Sequence, residues 1–87
     1  MTILEKAIEV YGADLQKQVA IEEMAELTKE ICKDFRGKGN REHIIEEIAD
    51  VSIMLEQLQI MYDISSLEIL RAIDSKVKRL EERLRGE

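Results

Sequence analysis

Apolar and polar residues recur along the chain in the three- and four-residue steps of amphipathic helices, and the pattern predicts four of them. A short first helix runs from about Ile3 to Val10, opened by Thr2 and Glu5 at capping-box spacing and ended by Gly12. The second, from Asp14 as N-cap to about Arg36, places Ala20, Met24, Leu27, Thr28, Ile31, Cys32 and Phe35 on one broad apolar arc. It stops at Gly37-Lys38-Gly39, and Asn40 caps a third helix that reaches about Tyr62. Asp63, Ser65 and Ser66 make the next break, where Ser65 and Glu68 repeat the capping-box spacing, and the fourth helix continues to about Arg85. Helices two and three, joined by a short Gly-rich turn, are expected to be antiparallel neighbours. Helix three is apolar nearly all round from Val51 to Met61, so it needs cover on more than one side. In helix four, Leu70, Ile73, Val77, Leu80 and Leu84 form a seam of the kind that packs helices, and core is the expected use of all these apolar residues.

Composition narrows the class. With 87 residues the chain is expected to be one domain, 1–87, and too short to bury a large core. Cys32 is the lone cysteine, so no disulfide framework supports it, and no Cys/His cluster suggests structural zinc. The expected architecture is all-α: an antiparallel hairpin plus a C-terminal helix, completed into a bundle by oligomerisation. The interface would use the outer face of helix three and the seam of helix four. A net charge of −6 argues against non-specific binding to nucleic acid. No apolar run approaches the ~20 residues that span a bilayer. The N-terminal MTILEKAIEV has acids where a signal peptide needs a basic start, and a cytoplasmic location is expected.

The candidate chemistry lies in the acids. Glu23 and Glu26 in helix two, and Glu47 and Asp50 in helix three, form two pairs spaced three apart, each on one helix face. Glu26 lies ten residues before Arg36 and Asp50 nine after Arg41, so across the hairpin the pairs stand level. Glu47 is in line with Val51, Met54 and Leu58, and Glu23 with Val19 and Leu27, so the acids occupy rows otherwise used for packing. Two carboxylates ~4 Å apart at an effective dielectric of ~20 repel by ~4 kcal/mol, which calls for a proton or a cation. Oxygen ligands without His or Cys select Mg²⁺, Mn²⁺ or Ca²⁺.

The segments EEMAEL (22–27) and EEIADV (46–51) resemble the paired acidic motifs of the MazG-like, all-α nucleoside triphosphate pyrophosphohydrolases, over roughly residues 15–84. The resemblance implies that Glu23, Glu26, Glu47 and Asp50 ligate Mg²⁺, with Mn²⁺ a possible substitute. It also implies cleavage of a nucleotide's α–β phosphoanhydride to monophosphate and pyrophosphate, by a dimer or tetramer. In such an enzyme basic residues meet the outer phosphates, and Lys76 and Arg79, in a helix-four stripe with Arg83, are the first choices. Lys17, Lys29 and Lys33 are weaker ones. Glu22 and Glu46 point ~100° away from the motif acids and are expected to be solvated. Glu26 with Lys29 and Glu30 with Lys33 have the spacing of weak surface ion pairs.

His43 is expected to be exposed and Cys32 packed and inert, while the GKG turn lacks the spacing of a phosphate loop. Nothing among Tyr11, Phe35 and Tyr62 identifies a base-binding pocket. Two rival readings stand beside the enzyme: a non-catalytic helical module that dimerises through helix four, and a degenerate relative that keeps metal without hydrolysis.

Overall fold

Three of the four helices start where their capping residues stand. In the computed structural model, which describes residues 1–86, the order is α1 (Ile3–Tyr11), α2 (Ala13–Phe35), α3 (Arg41–Met61) and α4 (Ser66–Leu84), with no strand among the described residues. Thr2 and Ser65 form full capping boxes with Glu5 and Glu68, and Asn40 Oδ1 accepts from the His43 backbone N–H at 3.1 Å. The start of α2 differs from expectation. Gly12, at φ 90°, precedes the helix without a side-chain cap, and Asp14 sits inside the first turn, where its charge suits the helix dipole.

The turn between α2 and α3 is a Schellman closure. The N–H of Lys38 donates to Lys33 O at 2.9 Å and that of Gly37 to Asp34 O at 3.0 Å. Gly37 takes the left-handed φ of 75° that this motif requires. Gly39 lies so close to Asp34 that a Cβ there would collide with its Oδ1 and press on its Cα at 3.1 Å. Two glycines in three residues are thus what returns the chain at once as an antiparallel helix.

The hairpin has a regular register. Gln16 meets Gln57, Glu23 meets Asp50 and Glu30 faces His43, each rung seven residues from the last on both helices. Seven residues are close to two helical turns, so these rungs lie along one straight seam. Ala20 and Met54 are buried between the first two, with Val19, Leu27, Val51 and Leu58 half-buried along the same rows. Gln16 Nε2 donates to Gln57 Oε1 at 2.7 Å, and Gln57 Nε2 donates to Leu4 O at 3.3 Å, which ties α1 to the hairpin. Such satisfied buried amides fix register, because sliding either helix would leave them unpaired.

Several apolar residues lie elsewhere than expected. Of the α2 arc only Ala20 is buried and Leu27 partly so, while Met24, Ile31 and Cys32 are exposed and Phe35 is 87% exposed. A packed Cys32 is therefore overturned: α3 meets the α2 face through Gln16, Ala20, Glu23, Leu27 and Glu30, and Cys32 lies off it. The α4 seam is likewise not core in the single chain, since Leu70, Ile73, Val77, Leu80 and Leu84 are all exposed. Whereas α1, α2 and α3 pack together, α4 shares no extended contact with any of them. The chain consequently has a radius of gyration of 16.2 Å, against about 12 Å for a compact domain of this length.

Candidate metal centre

The second rung of the hairpin gathers the acids. Glu23 from α2 and Glu47 and Asp50 from α3 each offer a carboxylate oxygen, and the three oxygens lie within 4.8 Å of one another. Glu23 and Glu47 are half-buried and Asp50 is exposed at the mouth. Glu47 Oε2 is fully buried and has no hydrogen-bond partner. A carboxylate oxygen shut away from water without a donor is costly, and the charges around Glu47 are those of other carboxylates.

The electrostatics follow from the crowding. Burial pushes the Glu23 carboxyl above its ordinary range, helped by the Asp50 charge, a hydrogen bond with Asp50, and the charges of Glu47 and Glu26. Burial also raises Glu47, with added repulsion from Asp50, Glu26, Glu30 and Glu46. Every charged group that shifts these two is a carboxylate; no Lys or Arg offsets them. An all-oxygen donor set with one orphaned oxygen and no compensating base fits a hard divalent cation.

Glu26, the fourth expected ligand, is exposed and stands outside the group of three, although its charge reaches both Glu23 and Glu47. Glu22 and Glu46 are exposed. Lys76 and Arg79 are brought together with Glu82 and Arg83 in a shallow cleft along α4. Because α4 does not pack on the hairpin, that cleft is separate from the acids within one protomer. Lys17 lies 4.7 Å from the centre of the Tyr62 ring, a cation–π contact, and Lys29 is exposed. Tyr11, Phe35 and Tyr62 are all exposed.

Lys33 is bonded to Glu30 at 3.2 Å, but the pair is not the weak surface bridge its spacing suggests, since Glu30 is only 6% exposed. Glu30, expected only as half of a surface pair with Lys33, is instead buried in the seam. The missing signal was its distance of seven residues from Glu23, matched across the hairpin by His43, seven from Asp50.

Crowded acids make the apo protein pH-sensitive with a definite sign. Folded-state values of Glu23 and Glu47 lie above the ordinary 4.5, so their contribution is fully present below that value and is lost as pH rises through the raised ones. Asp50→Asn removes the foremost charge acting on both. In melts with chelator, its stability relative to wild type is expected to rise between pH 4 and 8. A constant difference across that range would refute the repulsion.

No family model, curated protein or solved structure matches the chain.

Proposed function

We propose that the protein is a divalent-cation-dependent nucleotide pyrophosphohydrolase of MazG-like type, splitting a nucleoside triphosphate into monophosphate and pyrophosphate. The observation that carries this reading is the convergence of Glu23, Glu47 and Asp50 across the hairpin, with the buried Glu47 oxygen unpartnered. The paired acidic motifs in EEMAEL and EEIADV supply the reaction class by resemblance.

Glu23, Glu47 and Asp50 would hold Mg²⁺ or Mn²⁺, with Glu26 joining from the rim. A cation held there supplies the charge that offsets the polyphosphate and makes water more acidic. In the reaction, a water oxygen bonds to the α-phosphorus while the bond from that phosphorus to the bridging oxygen breaks. The electron pair leaves with pyrophosphate, and a carboxylate of the cluster takes the water's proton. Lys76 and Arg79 would receive the leaving pyrophosphate.

Within one protomer α4 stands off the hairpin, so this reading needs α4 to meet the acids in an assembly. A homo-oligomer, dimer or tetramer, built on the exposed α4 seam and the outer face of α3 provides for that. A cytoplasmic location is part of this reading, and among the described residues no helix is long and apolar enough to cross a membrane.

The test is product analysis. A panel of ordinary and modified nucleoside triphosphates with Mg²⁺ should release pyrophosphate and monophosphate in equal amounts, without diphosphate or free phosphate as first product. Phosphate or diphosphate appearing first would place cleavage at another bond. No turnover on any nucleotide would favour a second reading, a helical interaction module, which the exposed α4 seam supports.

A further inference from the structure

The hairpin carries three polar rungs, and the third holds a buried carboxylate with one oxygen paired and the other not. Gln16 and Gln57 are hydrogen-bonded, and the second rung is the acidic centre. In the third, the Glu30 side chain is 8% exposed, its Oε1 accepts from Lys33 Nζ at 3.2 Å, and its Oε2 is buried with no hydrogen-bond partner. The group facing that oxygen is His43, whose Nδ1 lies 4.0 Å away. That separation is too long for a hydrogen bond, so neither atom satisfies the other.

We propose that Glu30 and His43 form a second divalent-cation site next to the acidic centre, with water filling its remaining positions. The distance is the first argument. Imidazole nitrogen and carboxylate oxygen bind such a cation at about 2.0–2.2 Å each. A cation between two donors 4.0 Å apart meets both with little movement, as opposed ligands of an octahedral ion. Charge is the second. Glu30 and Glu47 face one seam, and their unpartnered oxygens are the buried orphan side-chain atoms of the described residues. Repulsion from Glu30 also contributes to holding the Glu47 carboxyl high.

Preorganisation is the third. Asn40 caps the first turn of α3 through the backbone N–H of His43 itself, which fixes where the imidazole starts. The His43 side chain is 55% exposed, which leaves the site an entry from solvent. Lys33 engages only the other Glu30 oxygen and leaves Oε2 free. The nitrogen donor distinguishes this site from its neighbour. The acidic centre is all oxygen and suits Mg²⁺, whereas an imidazole favours a first-row transition ion such as Mn²⁺ or Co²⁺. The proposal rests on the acidic centre binding metal but not on any nucleotide reaction.

The experiment counts Mn²⁺ bound per chain by the electron paramagnetic resonance of the free ion, on the full-length protein at neutral pH without nucleotide. Wild type should take two ions. Glu30→Gln and His43→Gln should each take one, and Asp50→Asn should lose the first ion while keeping the second. His43 is exposed, so its variant should remain folded even if Glu30→Gln does not; helix content by circular dichroism checks both. With one ion bound to wild type, unchanged by Glu30→Gln and His43→Gln and lost in Asp50→Asn, the second site does not exist and the acidic centre stands. Binding of no ion at all overturns both.

Discussion

Glu47→Gln is expected to reduce pyrophosphate release from nucleoside triphosphate by on the order of 100-fold or more, the scale of removing one well-placed electrostatic group from a reaction centre. It should be the most damaging change in the hairpin. Glu47 carries the orphaned buried oxygen, lies in the group of three, and has its carboxyl raised by burial and then by four surrounding carboxylates. Glu23→Gln and Asp50→Asn should follow closely, because each supplies one of the three converging oxygens. Glu26→Gln should also lower turnover, though less, since Glu26 stands at the exposed rim. The losses need not add, because ligands of one centre act as a unit. Glu22→Gln and Glu46→Gln leave the converging oxygens in place and should retain most activity. Steady-state assays with saturating Mg²⁺, alongside circular dichroism, separate loss of chemistry from loss of fold. If the Glu22 and Glu46 variants fell as far as the Glu47 one, the assignment of inward-facing acids would be wrong.

Light scattering at micromolar concentration is expected to give a mass at least twice the 10.1 kDa of the chain. The accessible surface of the protomer is 6942 Å², about 1,600 Å² more than a compact monomer of this mass exposes. Much of the excess is apolar and belongs to α4, whose seam has no cover in the protomer, and to Ile53, Leu55 and Ile60 on the outer side of α3. A stable interface removes roughly 800 Å² from each partner, so the surplus is of the size that one or two such contacts bury. Ile73→Asp with Val77→Asp puts two charges at the middle of the seam and should shift the mass towards that of the single chain. Helix content should fall with it, since an isolated amphipathic helix of this length is marginal in water. A wild-type protein that stayed monomeric and fully helical at high concentration would remove the basis for assembly through α4.

Much of this architecture can be read in the residues because its causes are local. Capping boxes at Thr2 and Ser65, the Asn40 cap and the Gly37 stop act within a few residues, and the helices they bound appear within one or two positions of expectation. Gly12 is the exception: one glycine both ends α1 and precedes α2, so the expected Asp14 cap had no room. Level placement of Glu23, Glu47 and Asp50 was legible for a related reason. Once a tight turn makes two helices antiparallel, rise per residue alone sets which positions face each other.

What only the tertiary structure decided is which side of each helix is inside. Apolar residues on α2 occupy more than half its circumference, so periodicity allowed an arc containing Cys32 and Phe35. The hairpin instead packs through the row of Gln16, Ala20, Glu23 and Glu30. That choice buried Glu30 opposite His43 and left Glu26 at the rim. The position of α4 was equally beyond local reasoning. Its sequence specifies an amphipathic helix, but what covers an apolar seam depends on where the preceding turn sends the helix and on what surface remains. Asp63, in the left-handed conformation at φ 54°, ends α3 with the Ile64 N–H bonded to Gln59 O, and α4 leaves the hairpin with its apolar side open.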